Sequence, residues 1–305
     1  MASINDAFSF AKTTLQTSIA NNLSPFVLAK HKLELCLSYM SDEASRINYL
    51  SELSYLMVRL FNPNLAKQIS PFTEQDWVNT VAKWDDFVAS AQCPKMVCEP
   101  EEKGYLANML ITTFLAGQYQ YEDKVKVTKG DIFIDGGACF GDTALWAYQN
   151  GASKVYSFEP SPYNFTMLQK NIEANGHDTK LCFNQAVSNT HDPIKFAAAP
   201  GMAGASHADS NGNIEVGCVI LDEWVKEQKI KPTFLKLDIE GAEVSALKGA
   251  KEIITKYHPK LTICLYHQLS DMWEVPLLIK SYYAGYRFYC RKNNVNNEFI
   301  LYAAP

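Results

Sequence analysis

After residue 125 the sequence alternates short β-rich runs with amphipathic helical stretches, and this limits the possible folds more than any other feature. The runs typical of strands are 131–135, 154–158, 180–187, 233–238, 260–266, 286–291 and 298–303. Helical periodicity is found at 143–149, 163–174, 221–227, 243–256 and 272–283. This spacing predicts a doubly wound α/β fold with a seven-stranded sheet and crossover helices. Only NNVNN joins the last two runs, so we expect a hairpin and an antiparallel C-terminal strand.

The sequence before this point has a different texture. Apolar residues recur at spacings of three and four over most of the first 120 residues, which predicts a helical region. We therefore expect an N-terminal helical region at 1–120, serving as a lid or an oligomerisation surface, and an α/β domain at 121–305. Segment 191–220 is rich in Gly, Ala, Ser and Asn, and it predicts a mobile excursion with one or two extra short strands.

Composition excludes some classes of partner. A formal net charge of −5 without a basic block argues against nucleic acid. The sequence shows neither a signal-peptide pattern nor an apolar run long enough for a membrane span. The eight cysteines are scattered, so we expect reduced thiols and a cytoplasmic protein. Cys93 and Cys98 lack a second ligand pair, so no metal site is predicted.

The segment DIFIDGGACFGDT predicts a strand, a glycine-rich turn and a helix, an arrangement that binds nucleotide-like ligands in Rossmann-like folds. It lacks the spacing of a dinucleotide fingerprint, and Asp142 replaces the lysine of a P-loop. Two carboxylates, Asp135 and Asp142, would repel a pyrophosphate but suit the ammonium and sulfonium of S-adenosyl-L-methionine. Alternatively, Asp142 caps the helix. The residues of this turn expected to bind the cofactor are Asp135, Gly136, Gly137, Ala138, Gly141, Asp142 and Thr143.

The second strand-like run ends in an acid that suits a ribose. Glu159 follows KVYSF, and an acid at the end of strand 2 is placed to accept hydrogen bonds from both ribose hydroxyls of an adenosine. Pro160 and Ser161 come next in the same turn. Gln185 and Ala186, at the end of the third run, are predicted to lie beside the adenine.

Several of these motifs together resemble a known family. DGGACFGDT, SFEPSP with the Asn164–Asn175 pattern, and above all LKLDIEGAEVSALKGA are similar to the FkbM-type methyltransferases, over residues 103–305. Cys139 stands where members of that family more often have Asn. The resemblance implies a class I methyltransferase fold and S-adenosylmethionine-dependent O-methylation. The acceptor it implies is a hydroxyl of a sugar, glycan or secondary metabolite.

The stretch FLKLDIEGAE places acids where the fourth sheet strand meets this crevice. Asp238 is predicted to be the positioning residue or base, with Glu240 second, whereas Glu243 is expected to be structural. A hydrogen bond to loop backbone is the alternative for Glu240. Lys236 is expected to pair with Asp238 and keep it ionised. His267 follows the next strand and is a candidate base or substrate contact.

Two other functions are compatible with the sequence. One is an NAD(P)-dependent oxidoreductase, which Ala138 and Asp142 disfavour. The other is a cofactor-binding protein without turnover, because fold does not fix function. We expect metal-independent methyl transfer and leave open a homo-oligomer.

Overall fold

The computed structural model describes residues 4–6, 9, 23–197, 207, 208, 211–294 and 298–305. Most of the first part of the predicted helical region and part of the predicted excursion at 191–220 lie outside these ranges.

One seven-stranded sheet organises the chain, as predicted. Its strands are β1 (Ile132–Gly136), β2 (Lys154–Phe158), β3 (Cys182–Phe183), β9 (Phe234–Leu237), β10 (Lys260–Cys264), β11 (Arg287–Lys292) and β12 (Phe299–Ala304). Their order is β11-β12-β10-β9-β1-β2-β3, and β12 runs antiparallel to both of its neighbours. The antiparallel C-terminal strand is therefore confirmed. Because the parallel strands end on a common edge, the side chains that follow them come together there.

The predicted strand at 180–187 is wrong, because the structure divides it. After β3, the Asn184 amide donates to the carbonyls of Glu159 and Pro160, and the chain leaves the main sheet. It continues as β4 (Ala186–Ser188), which pairs with β8 (Cys218–Ile220) in a second, two-stranded sheet. The excursion also contains β5 (Ile194–Ala197), β6 (His207–Ala208) and β7 (Ile214–Val216), which form a three-stranded sheet.

Thirteen α-helices lie among the described residues. The N-terminal ones are α1 (Ser24–Leu28), α2 (Lys30–Tyr39), α3 (Glu43–Arg59), α4 (Pro63–Ile69), α5 (Glu74–Val81), α6 (Trp84–Ala89) and α7 (Lys103–Leu110), with a π-helical turn at Ile111–Leu115. The others are α8 (Asp142–Gln149), α9 (Pro162–Ala174), α10 (Leu221–Gln228), α11 (Glu243–Lys248), α12 (Lys251–Tyr257) and α13 (Asp271–Tyr282). Short 3₁₀ turns occur at Pro100–Glu102 and Thr179–Leu181. None of the helices in the described ranges is long and apolar enough to cross a membrane.

The predicted helix at 243–256 is also wrong, because it is two helices. A side chain at Gly249 would place its Cβ 2.1 Å from the carbonyl oxygen of Ser188, so β4 approaches the chain where only glycine fits. A new helix then begins, and the carboxylate of Asp222 caps it by accepting from the N–H groups of Glu252 and Ile253.

The N-terminal helices pack on the sheet rather than apart from it. The N–H of Cys290 in β11 donates to the hydroxyl of Ser45 in α3, at 3.1 Å. The hydroxyl of Tyr49 donates to the carbonyl of Met272, at 2.6 Å. Residues of α3 and of the sheet thus share one hydrophobic core. The boundary at residue 120 stays a prediction.

Candidate active site

A cavity of about 580 Å³ opens at the carboxyl ends of β1, β2, β9 and β10. This is the edge at which doubly wound sheets bind ligands, and the volume is that of an ordinary small-molecule site. A second wall comes from α7, the π-helical turn and the residues Gln118 and Tyr119 that follow. The N-terminal region therefore builds part of the cavity.

The glycine turn after β1 lies directly against the end of β9. Gly137 has φ +79°, and a Cβ there would lie 1.8 Å from the carbonyl oxygen of Asp238. The ammonium of Lys236 donates to the carbonyl of Gly137 at 2.7 Å and lies 3.0 Å from Oδ1 of Asp135. The expected pair of Lys236 with Asp238 is therefore corrected, because the lysine in β9 is bonded to the neighbouring strand. Both partners of this ion pair are buried.

A hydrogen bond from the N-terminal region fixes the side chain of Asp142 on the cavity wall. Asp142 begins α8, and its Oδ2 accepts a hydrogen bond of 2.6 Å from the hydroxyl of Thr113 in the π-helical turn. Burial raises the pKa of Asp142 to about 6, although this bond and the charge of Lys236 favour the ionised form. Thr143 follows on the cavity wall.

Glu159 lies on the wall at the end of β2, where the sequence predicts a ribose ligand. Its two oxygens accept the N–H groups of Cys139 and Ser161, each at 2.8 Å. Burial raises the pKa of Glu159 to about 7, although these two donors favour the carboxylate. Oε1 also accepts from the side-chain amide of Asn164, at 3.5 Å, so Oε2 is the oxygen with a second lone pair for a donor from a ligand.

The other predicted cofactor residues divide into two groups. Pro160 and Ala186 line the cavity together with Gly137, Asp142, Thr143 and Glu159. Six residues do not contribute to the wall: Asp135, Gly136, Ala138, Gly141, Ser161 and Gln185. Of these, Ser161 caps α9, and Gly141 has the left-handed φ of +94° that precedes α8. The cofactor contacts of all twelve stay predictions.

Asp238 is fixed at the end of β9 by two tyrosines that sequence reasoning missed. Its Oδ2 accepts from the hydroxyl of Tyr119 at 2.7 Å, and its Oδ1 accepts from that of Tyr266 at 2.8 Å. Burial opposes ionisation, but the charges of Lys236 and His267 and the two hydroxyls hold the pKa of Asp238 below its usual value. Asp238 is therefore an ionised and weakly basic carboxylate.

His267 connects the acids of β9 with the start of α11. Its Nδ1 lies 2.8 Å from Oε1 of Glu243, and its Nε2 lies 3.4 Å from Oδ1 of Asp238 and 3.7 Å from Oε2 of Glu240. Burial opposes the charged form, but the bond to Glu243 and the three acidic charges raise the pKa of His267 to about 10. An imidazolium does not accept a proton, so this geometry favours His267 as a substrate contact over a base.

Glu243 has a structural role, as the sequence predicts. It also accepts from the N–H of Ile239, at 2.9 Å, and thereby holds the loop after β9. Glu240 belongs to the same loop, between Ile239 and Glu243. Its backbone has a left-handed φ of +54°, and its exposed side chain lines the cavity.

Glu298 lines the same cavity and was not among the predicted site residues. It directly precedes β12, and its backbone has φ +64°. One signal was available in the sequence. The amino end of an antiparallel strand lies at the same edge as the carboxyl ends of its parallel neighbours, so the glutamate that begins EFILYA belongs beside Asp238.

Metal ligation does not stand out in the described ranges. There, no group of three or more His, Cys, Asp or Glu side chains is placed to hold a metal ion.

Comparisons with known proteins place the chain in a family. Residues 135–288, half of the chain, match the family model of the methyltransferase FkbM domain. The hexuronic acid methyltransferase AglP of Haloferax volcanii is 28% identical over 121 residues, which cover 39% of this chain and 49% of AglP. The chain thus spans about half the length of this curated relative.

A solved structure shows the same fold. The crystal structure of the methyltransferase FkbM from Methylobacillus flagellatus KT superposes with a TM-score of 0.57 at 17% identity. The match covers 92% of this chain and 60% of that one. Together with the family match, this identifies the chain as a member of the FkbM methyltransferase domain family.

Proposed function

We propose that this protein is an S-adenosyl-L-methionine-dependent O-methyltransferase that acts on a hydroxyl of a sugar, glycan or other polyhydroxylated metabolite. The observation that carries the proposal is the arrangement of one cavity. Glu159 lies at the end of β2, and Asp238 with His267 lies at the ends of β9 and β10. One side therefore suits a nucleoside and the other a polar acceptor.

The residues present fit this cofactor. Five carboxyl groups line the cavity, those of Asp142, Glu159, Asp238, Glu240 and Glu298, against the basic groups of Lys236 and His267. This excess of acid suits a ligand with positive charge and disfavours the pyrophosphate of a dinucleotide. When bound, the cofactor supplies an electrophilic methyl group.

Individual residues have distinct tasks toward the cofactor. Glu159 would hold the ribose through the lone pair that remains on Oε2, and Ala186 would contact the adenine. The absence of a side chain at Gly137 lets the glycine turn lie directly against the carbonyl of Asp238, which brings the cofactor side and the acceptor side of the cavity together. Asp142, held by Thr113, would meet the amino group of the cofactor.

The acceptor side is organised by Asp238 and His267. Both oxygens of Asp238 accept tyrosine hydroxyls, so it fixes Tyr119 and Tyr266 on the cavity wall. His267 presents Nε2, a buried nitrogen without a hydrogen-bond partner among the described residues. We assign Asp238 to positioning and His267 to donating a hydrogen bond to the acceptor. The name of AglP, a hexuronic acid methyltransferase, supports a sugar as acceptor.

Methyl transfer from labelled S-adenosylmethionine to a panel of sugars tests the proposal. The panel contains neutral methyl glycosides and methyl glycosides of hexuronic acids, and the formation of S-adenosylhomocysteine is followed with time. We expect transfer to at least one hydroxylated sugar. We also expect Asp238→Asn to reduce kcat by about 100-fold while changing cofactor affinity little. An Asp238→Asn variant as active as the wild type would contradict the assignment.

A further inference from the structure

Glu298 is fixed where it can meet an acceptor. Its backbone carbonyl accepts from the N–H of Asn293 at 2.9 Å, which closes the segment between β11 and β12. One of its carboxylate oxygens accepts from the side-chain amide of Gln118. Gln118 is itself held in place, because its backbone carbonyl accepts a hydrogen bond of 2.6 Å from the hydroxyl of Tyr302. Glu298 is therefore anchored once through its backbone and once through its carboxylate, and it still forms part of the cavity wall.

The backbone of Glu298 adds a second observation. A φ of +64° is unfavourable for a glutamate by about 1–3 kcal/mol, and such conformations cluster at functional sites. Here the left-handed residue comes directly before β12. The same residue is thus both conformationally strained and directed to the cavity.

Asp238 and His267, two of the predicted catalytic residues at this end of the cavity, are already occupied. Asp238 accepts two tyrosine hydroxyls and its pKa is lowered, so its carboxylate is a weak base. His267 is bonded to Glu243 and is protonated at neutral pH. A hydroxyl acceptor must lose a proton during methyl transfer, and a third group is needed to take it.

We propose that Glu298 is the general base that removes the proton from the acceptor hydroxyl. This inference rests on the proposed O-methyltransferase function. The acceptor O–H bond breaks, and its proton goes to a carboxylate oxygen of Glu298. An electron pair of the acceptor oxygen forms the new bond to the methyl carbon. The electron pair of the broken carbon–sulfur bond stays on the sulfur, so the sulfonium becomes a neutral thioether.

The charged surroundings tune Glu298 for this task. Burial and the charge of Asp238 raise its pKa to about 8, whereas the hydroxyl of Tyr266 and the charge of His267 favour the carboxylate. The charge of Glu240 acts in the same direction as that of Asp238. A carboxyl group that titrates near the working pH is a far better base than an ordinary glutamate.

The test compares a hydroxyl acceptor with a thiol acceptor. The probes are methyl β-D-glucopyranoside and 1-thio-β-D-glucose, since a thiol reaches its anionic form near neutral pH without a strong base. We expect Glu298→Gln to lower methyl transfer to the glucoside by about 100-fold or more, and transfer to the thiol far less. We expect Glu298→Asp to recover part of the loss, because it restores a carboxylate. Wild-type transfer to the glucoside should rise with pH through about 8.

A control variant tests whether the effect is specific to Glu298, and two further measurements test the proposal without an acceptor. Glu240→Gln removes another carboxylate of the same cavity, and a larger loss there than in Glu298→Gln would overturn the assignment. If the wild type methylates neither probe, the Glu298 carboxyl is followed by carbon NMR during a pH titration. A midpoint near 8 supports the proposal, and one below 6 overturns it. Failure of the wild type to bind S-adenosylhomocysteine would instead overturn the proposed function.

Discussion

Single residues set the charge of the cavity through their bonding partners. Lys236 lies 3.0 Å from Asp135 behind the wall, and its charge also favours the ionised form of Asp238, which accepts from the two tyrosines. Glu243 bonds to Nδ1 of His267 and favours the charged form of its ring. The acids that face the ligand thus have different proton affinities although they have similar side chains, because each is bonded to different donors.

Gly137 is predicted to tolerate no side chain. Gly137→Ala would require a methyl group 1.8 Å from the carbonyl oxygen of Asp238 at a φ of +79°. We expect the free energy of unfolding to fall by about 2 kcal/mol or more, because the strain of the backbone adds to the clash. Chemical denaturation measures it. Gly104→Ala is the matched control, since a Cβ at this helical position meets nothing within 4 Å and should not destabilise the protein.

The charge of His267 is predicted to stabilise the fold in a defined pH range. Its pKa is raised in the folded state, from the usual 6.5 to about 10. The stabilisation is therefore fully present below pH 6.5 and is lost as the pH rises through about 10. We expect the difference in unfolding free energy between the wild type and His267→Gln to shrink between pH 6.5 and 10.5. A difference that stays constant over this range would show that His267 is neutral throughout.

For single residues, the sequence predicted which acids follow the strands of the sheet, but it did not predict which side chains bond to them. Asp238 and Glu159 were accessible to prediction because each follows a recognisable strand of the parallel sheet. Tyr119 was not, because it comes from the N-terminal region, which carries no motif that relates it to β9. The partner of Lys236 was mispredicted because residues two apart in one strand compete with partners on the next strand.

At the element scale, two predicted elements were divided by contacts from outside their own segment. The strand at 180–187 ends where Asn184 bonds to the turn after β2. The helix at 243–256 is interrupted where β4 crosses Gly249. The local periodicity of the sequence carries no information about these contacts. It therefore predicts the order of strands and helices but not the positions at which these two elements break.

A buried ion pair also joins α3 to the sheet. Lys292 Nζ in β11 lies 2.9 Å from Oε2 of Glu52 in α3, and both side chains are at most 2% exposed. The ammonium also lies 3.5 Å from the ring centre of Tyr55. We expect Lys292→Met alone to cost about 3–5 kcal/mol of unfolding free energy, because it leaves a buried carboxylate without its partner.

A double-mutant cycle separates the ion pair from packing. Glu52→Leu combined with Lys292→Met removes both charges, and we expect it to recover most of the stability lost by either single change. Additive losses, measured by urea denaturation, would show that the two side chains act independently.

At the scale of the whole molecule, the N-terminal region completes the site that the sheet begins. Thr113 holds Asp142, Gln118 holds Glu298 and Tyr119 holds Asp238, so each of these acids is bonded to a residue that comes before β1. The resemblance of the sequence to its family identified the sheet and the glycine turn. It did not identify this wall, because the motifs that carry the resemblance begin at Asp135, where the family match also begins, and none of them includes Thr113, Gln118 or Tyr119.

The proposed role of this cavity is to bind an adenosyl cofactor through Glu159. Calorimetric titration of the purified chain with S-adenosylhomocysteine, S-adenosylmethionine and NAD, side by side, tests it most directly. We predict binding of both adenosyl ligands, no heat with NAD, and at least about 10-fold weaker binding of S-adenosylhomocysteine to Glu159→Ala, since the hydrogen bond of the ribose to this carboxylate is lost. Binding of NAD alone, or equal affinities of Glu159→Ala and the wild type, would contradict the account.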